Sequence, residues 1–128
     1  MGKKIFIYGS SGHFRDQLEW LKDSVKAKKN IEIAGIIDDL RKDEEYDNYS
    51  KLKIYESKSI SFSENILIFI AVGDIEIRKK CINEFKKFNF YNLIHPSSII
   101  SENSILGKGI SVAPFTLING NSKIGDFN

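Results

Sequence analysis

The spacing of hydrophobic residues along the chain changes near residue 95. Before that point, short apolar runs alternate with segments whose apolar residues recur every three or four positions. After it, an aliphatic residue recurs at every sixth position, at Ile100, Leu106, Val112, Ile118 and Ile124. Two units are therefore predicted, residues 1–95 and residues 96–128.

The first unit has the pattern of strands alternating with helices. Continuous apolar runs predict buried strands, namely KKIFIYG (3–9), IEIAGIIDD (31–39), ENILIFIAVGD (64–74) and the short YNLI (91–94). Helical periodicity predicts two helices, HFRDQLEWLKDSVKA (13–27) and IEIRKKCINEFKKF (75–88). Their inner faces are predicted to carry Phe14, Leu18, Leu21 and Val25 in the first helix, and Ile77, Cys81, Phe85 and Phe88 in the second. With a polar loop after the second strand, this order favours an α/β fold with a right-handed, mostly parallel sheet.

The six-residue period of the second unit is typical of a parallel β-helix built from hexapeptide repeats. The aliphatic side chain of each hexad points inward, and the small residue after it permits a tight corner. The tripeptides GKG (107–109) and NGN (119–121) suit such corners, because Gly and Asn tolerate positive φ. Ordinary β-hairpins would instead alternate with period two and have variable turn spacing, which five consecutive aliphatic residues at one spacing disfavour.

Charge supports the same division and excludes several kinds of partner. Of the 36 charged residues in this 128-residue chain, the only ones beyond Pro96 are Glu102, Lys108, Lys123 and Asp126. Acids and bases are interspersed and the net charge is +2, so no nucleic-acid or anionic-membrane surface is expected. A single cysteine excludes an internal disulfide and a cysteine zinc cluster, and no metal site is predicted. Without a signal peptide or a membrane-spanning run, a cytoplasmic protein is expected.

Candidate binding residues follow three of the predicted strands. Ligands of parallel α/β sheets bind where loops leave the carboxyl ends of the strands. The loop from Gly9 to His13 has glycines that let backbone N–H groups approach a phosphate at a helix N-terminus. Asp38 and Asp39 offer acceptors for ribose hydroxyls or a base edge, and Gly73 with Asp74 forms the third loop. Because these loops share one edge of the sheet, a common anion-holding and hydroxyl-accepting site is predicted.

Each loop also has a purely structural interpretation. Gly9 and Gly12 could form only a turn, and His13 could be exposed and idle. Asp38 and Asp39 could only solvate a loop that continues into RKDEEYD (41–47), and Asp74 could only cap its helix. A dinucleotide-binding Rossmann domain is a further alternative. Its fingerprint needs a third glycine where Arg15 or Asp16 stands, which counts against NAD, although the acidic pair lies where a ribose-binding acid would be.

Four motifs in order and spacing resemble a known family over essentially the whole chain. They are IYGSSGHFR (7–15), GIIDD (35–39), AVGDIEIRKK (71–80) and NLIHPSSIIS (92–101). They are similar to the sugar acyltransferases that include sialic acid O-acetyltransferase and the N-acetyltransferase acting on a nucleotide-linked amino sugar in bacillosamine synthesis. The usual loop of that family has a second glycine where Ser11 stands, and commonly a lysine where Arg15 stands.

The resemblance implies a fold, a substrate and an assembly. It implies a Rossmann-like sheet that holds a free or nucleotide-linked sugar, a left-handed β-helix that binds acetyl-CoA, and trimers with active sites between subunits. The substrate-binding residues that it implies are Gly9, Ser10, Gly12, His13, Arg15, Asp38, Asp39, Gly73 and Asp74.

No catalytic residue is assigned within the 128 residues. The family's catalytic histidine lies in later hexads, and neither His13 nor His95 matches it. The chain is therefore expected to be the inactive, substrate-binding part of an acetyltransferase, monomeric or weakly associated by itself. A nucleotide-sugar binding module without catalysis and, third, an NAD-binding reductase domain stay open as alternatives.

Overall fold

The computed structural model describes residues 2–26 and 28–128 and shows a five-stranded parallel sheet followed by a series of two-residue strands. The sheet strands are β1 Lys3–Tyr8, β2 Ile31–Ile37, β3 Ile54–Tyr55, β4 Ile66–Ile70 and β5 Asn89–Phe90. They lie in the order β3-β2-β1-β4-β5, and every neighbouring pair is parallel. The helices are α1 Phe14–Lys26 and α2 Ile75–Glu84. The predicted α/β fold with a parallel sheet is confirmed.

Each face of the sheet is covered by one helix. Successive side chains of β1 point to opposite faces, so Ile5 and Ile7 pack in the cluster that includes α1, whereas Phe6 and Tyr8 pack in the cluster that includes α2. Ile5 and Ile7 are almost fully buried, and burying an isoleucine contributes roughly 1.5–3 kcal/mol. The continuous apolar runs in the sequence therefore reflect strands that are buried on both faces.

Three details differ from the sequence-based predictions. The polar loop contains an edge strand, β3, because Ile54 and Tyr55 pair with the end of β2. The last sheet strand is Asn89–Phe90 rather than YNLI, whose Leu93 and Ile94 belong to the coil described below. Ile77 is 42% exposed rather than internal, because the first turn of α2 borders a cavity. Ala27, the predicted end of the first helix, lies outside the described residues.

The second unit forms a coil whose strands pair in parallel with strands 18 residues later. The strands are β6 Leu93–Ile94, β7 Ile99–Ile100, β8 Ile105–Leu106, β9 Ser111–Val112, β10 Leu117–Ile118 and β11 Lys123–Ile124. The pairs are β6 with β9, β7 with β10 and β8 with β11, so one turn of the coil takes three hexads. The five aliphatic residues of the hexads pack together around Ile110, as the period predicts.

The corners of the coil repeat with the same period of six. Positive φ occurs at Gly109, Phe115, Asn121 and Phe127, with values between 58° and 65°. Gly109 and Asn121 are residue types that tolerate this conformation, as predicted for GKG and NGN. The two phenylalanines occupy the same position of the hexad as Gly109 and Asn121.

Polar contacts join the coil to the α/β unit. The His95 ring donates a hydrogen bond from Nε2 to the Asp23 carboxylate of α1, at 2.9 Å, and its Nδ1 accepts from the Ser97 hydroxyl, at 2.8 Å. Arg78 of α2 donates to the carbonyl oxygens of Val72 and Phe127. Along residues 2–26 and 28–128, no helix is long and apolar enough to cross a membrane.

Candidate functional site

The three loops that follow β1, β2 and β4 contact one another at the carboxyl edge of the sheet. The Gly9 amide donates to the Ile37 carbonyl at 2.9 Å, which continues the β1–β2 ladder into the first loop. Gly9 has a φ of 98°, and a Cβ there would overlap the Val72 side chain of the third loop. The Ser10 hydroxyl donates to Asp38 of the second loop. The predicted convergence of the three loops is therefore observed.

A cavity of about 200 Å³ lies between these loops and the first turns of α2. Its wall is largely aliphatic, with a few polar groups. The lining residues are Tyr8, Gly9, Ser11, Ile37, Asp38, Asp39, Leu40, Val72, Ile77 and Lys80. Leu40 is 93% exposed at its rim. Exposed apolar side chains around a concave, partly polar space are typical of a small-molecule site.

The two predicted carboxylates have different partners. Asp39 accepts hydrogen bonds from the backbone N–H and the hydroxyl of Ser57, both at 2.7 Å, and so fixes the segment after β3. Asp38 accepts from the Leu40 amide at 3.1 Å and from Ser10. Asp38 is therefore the carboxylate that both lines the cavity and holds the glycine-containing loop.

Arg41 supports this arrangement from outside the cavity. Its guanidinium donates to the Ser10 hydroxyl and to Asp47, each at 3.0 Å, and forms an ion pair with Glu44 at 2.9 Å. Burial favours a higher pKa for Asp47, but hydrogen bonds from Ser50 and Arg41 outweigh it and hold the pKa below its ordinary value. The sequence predicted no role for Arg41, because a basic residue within RKDEEYD carries no positional signal.

Four of the other predicted residues lie outside the cavity. Gly12 has a φ of 61° and faces open space, which fits a loop that approaches a ligand. His13 is exposed at the start of α1. Arg15 is exposed and stacks on the Tyr49 ring, with 4.4 Å from its guanidinium carbon to the ring centroid. Asp74 accepts a hydrogen bond from the Ile77 amide at 3.0 Å and caps α2.

Replacing Asp74 with alanine is expected to affect stability rather than binding. The cap satisfies one of the N–H groups that have no partner within the helix, and its loss typically costs about 1 kcal/mol. Urea denaturation should show this decrease in the free energy of unfolding. An Asp74→Ala variant with unchanged stability and impaired ligand binding would instead place Asp74 in the site.

A second, larger cleft of about 370 Å³ lies where the α/β unit meets the coil. It is lined by Gln17, Trp20, Ile70, Gly73, Ile75, Arg78, Gly109, Ser111, Ala113, Phe127 and Asn128. Val72 lines the cavity and the next residue, Gly73, lines the cleft, so the two spaces adjoin across the loop before α2. Gly73, which the sequence predicted as a site residue, thus lines the cleft.

Among the described residues that line the two spaces there is no cysteine or histidine. Cys81 lies on the inner face of α2, and burial raises the pKa of its thiol to about 12, so this side chain stays protonated. Among the described residues, no three histidine, cysteine, aspartate or glutamate side chains are grouped so that they could hold a metal ion. The arrangement suits recognition of a ligand with apolar, hydroxyl and anionic parts.

Comparison with known proteins identifies the α/β unit. Residues 4–85 match the family described as the PglD N-terminal domain, and the chain belongs to this family. Over 113 residues it is 26% identical to the UDP-N-acetylbacillosamine N-acetyltransferase of Bacillus subtilis (strain 168), covering 84% of this chain and 50% of that protein.

Solved structures share the fold of both units. The acetyltransferase domain of PglB from Neisseria gonorrhoeae FA1090, in complex with acetyl coenzyme A, has a TM-score of 0.77 at 22% identity. That match covers 99% of this chain and 60% of the other. PerB from Caulobacter crescentus, in complex with CoA and GDP-perosamine, has a TM-score of 0.71 at 24% identity. That match covers 100% of this chain and 60% of the PerB chain. The chain thus spans about half to three fifths of the length of these relatives.

Proposed function

We propose that the chain is the substrate-binding part of a sugar or nucleotide-sugar acetyltransferase whose acyl donor is acetyl-CoA. The observation that carries this proposal is the adjacency of two spaces, a cavity at the ends of the strands and a cleft that faces the coil. The named activities and ligands of the bacillosamine N-acetyltransferase, PglB and PerB support the same class.

The ligand is proposed to extend from the cavity to the cleft. The nucleoside occupies the aliphatic cavity, with Asp38 accepting from a ribose hydroxyl or a base N–H. The diphosphate lies over the loop around Gly12 and the first turn of α1, where backbone N–H groups and the helix dipole favour an anion. The sugar then reaches the cleft beside Gly73, next to the coil.

Acetyl transfer requires a base near the sugar nucleophile and a slot for the thioester. Neither histidine of the chain serves as that base in this proposal. His95 is held between Asp23 and Ser97, and His13 is exposed at the start of α1. Trimeric assembly of the whole protein, a left-handed coil and a cytoplasmic location belong to the same proposal. So does a division near residue 95 into a substrate domain and a coil domain, whose first strand, β6, comes just before that residue.

A binding role without catalysis is the second candidate function. It is favoured by the same observation, because both spaces are formed by this chain and, among the described residues, neither is lined by a cysteine or histidine. Both candidate functions involve the same nucleotide-sugar ligand. One experiment on the placement of the sugar in the cleft therefore tests both.

Replacing Gly73 with leucine is expected to weaken binding of a nucleotide sugar but not of the corresponding nucleoside diphosphate. A Cβ on Gly73 meets no atom within 4 Å and its φ is outside the left-handed region, so the fold accepts a side chain there. The leucine would fill part of the cleft and displace the sugar alone. Calorimetric titrations with UDP-glucose and UDP, repeated with GDP-mannose and GDP, measure the difference.

Gly125 provides the matched control for this experiment. It also has open space around an added Cβ, and it lines neither the cavity nor the cleft. Gly125→Leu should bind both kinds of ligand as the unchanged protein does. Equal weakening of nucleotide sugar and nucleoside diphosphate by Gly73→Leu would contradict the proposed placement of the sugar.

A further inference from the structure

Tyr8 is a largely buried tyrosine that lines the cavity, and no hydrogen bond is recorded for its phenol hydroxyl among the described residues. Tyr8 is the last residue of β1 and is 8% exposed. Its ring packs edge-on against Phe85, with 5.9 Å between the ring centroids. The structure records no hydrogen bond to its phenol hydroxyl from residues 2–26 and 28–128, and no described side-chain nitrogen or oxygen is both fully buried and unpaired. Because Tyr8 lines the cavity, the remaining exposure of its hydroxyl opens into that space.

The hydroxyl of a largely buried tyrosine usually has a hydrogen-bond partner. At a position that needed only packing, phenylalanine would fill the same volume, so the hydroxyl at the cavity is available to a ligand. Burial is also the main reason that the pKa of Tyr8 is raised to about 12, with further contributions from Cys81 and Glu84. The hydroxyl therefore stays protonated at neutral pH and can donate as well as accept.

The surroundings of Tyr8 indicate which part of the ligand it meets. The neighbouring walls are aliphatic, formed by Ile37, Val72 and Ile77, and they suit a flat heteroaromatic ring better than a phosphate. The glycine-containing loop, which suits the phosphates, lies at the mouth of the cavity. Lys80 adds a second donor along the α2 wall. Both donors match the carbonyl oxygens that the edges of uracil and guanine present.

We propose that Tyr8 is a specificity-determining residue whose phenol hydroxyl hydrogen-bonds to a carbonyl oxygen on the nucleobase of the bound nucleotide. This inference rests on the proposed function and deepens it, because it assigns the cavity to the base. The ring of Tyr8 belongs to the α2-side core, whereas its hydroxyl serves the ligand. Tyr8→Phe separates these two roles, because it keeps the ring and removes only the hydroxyl.

The test compares UDP, GDP and inorganic pyrophosphate as calorimetric probes of the 128-residue protein. Tyr8→Phe is expected to weaken the binding of UDP or GDP about three- to tenfold, the range that corresponds to one hydrogen bond. Pyrophosphate, which has no base, should bind both proteins equally. Tyr55→Phe removes a phenol hydroxyl from the edge strand β3, which β2 separates from β1, outside the cavity, and should change none of these affinities.

The possible outcomes distinguish this inference from the proposed function. Unchanged nucleotide affinity in Tyr8→Phe would overturn the role of Tyr8 and leave the nucleotide site in place. Equal weakening of pyrophosphate would also overturn it, because the hydroxyl would then act on the phosphates. Failure of the unchanged protein to bind UDP or GDP more tightly than pyrophosphate would overturn the nucleobase assignment and the proposed function together.

Discussion

Replacing Gly9 with alanine is expected to destabilise the protein by about 2–5 kcal/mol. Gly9 has a φ of 98°, a conformation that costs an alanine roughly 1–2 kcal/mol. Its Cβ would also overlap the Val72 side chain, and such overpacking costs about 1–3 kcal/mol. Urea denaturation followed by circular dichroism gives the change in the free energy of unfolding.

Val72→Ala provides the control that separates the two causes. Alanine at Val72 removes the γ-methyl group that the new Cβ would overlap, so the double variant should lose less stability than the two single variants together. The destabilisation that comes from the positive φ of alanine at position 9 should remain in the double variant. Strictly additive effects would show that Gly9 and Val72 are not in contact, and hence that the first and third loops do not converge.

Replacing Asp38 with alanine is expected to weaken nucleotide-sugar binding at least about tenfold. The carboxylate lines the cavity and also accepts from Ser10 and the Leu40 amide, so its loss removes a ligand partner and loosens the glycine-containing loop. Hydrogen bonds to charged groups contribute about 1.5–3 kcal/mol, which corresponds to roughly ten- to more than a hundredfold in affinity. Calorimetric titration with UDP-glucose and GDP-mannose measures this loss of affinity.

Asp74→Ala is the matched comparison for Asp38→Ala. Both changes delete a carboxylate that follows a sheet strand and accepts a backbone hydrogen bond, but Asp74 caps α2 and lines neither space. Its affinity for the same ligands should be unchanged. If both variants bind as the unchanged protein does, Asp38 has no contact with the ligand.

The sequence predicted those features of the fold that depend on periodicity. The two helices, the strands β1, β2 and β4 and the period of the coil each extend over enough residues to show a pattern. The strands β3 and β5 have only two residues each, and their identity is decided by pairing with β2 and β4 rather than by local sequence. Periodicity also placed Ile77 in the core, because it does not show which turn of a helix borders a cavity.

The site was predictable to the extent that topology alone determines it. Loops after parallel strands meet at one edge, and this brought Gly9, Ser10 and Asp38 together as expected. The role of Asp39 depends on Ser57, which the pattern of residues does not specify, whereas the observed cap at Asp74 is the structural interpretation that its position before a helix suggested. The sequence did not predict that Tyr8 lines the cavity, because a tyrosine at the end of a buried strand has the same pattern as a core residue.

The most direct measurement of the central proposal is a calorimetric titration of the 128-residue protein with nucleotide sugars. UDP-glucose or GDP-mannose is expected to bind at least about tenfold more tightly than inorganic phosphate or NAD, because cavity, loop and cleft each contact a different part of such a ligand. Binding no tighter than that of inorganic phosphate would contradict the nucleotide-sugar site, and tighter binding of NAD would favour a reductase domain instead.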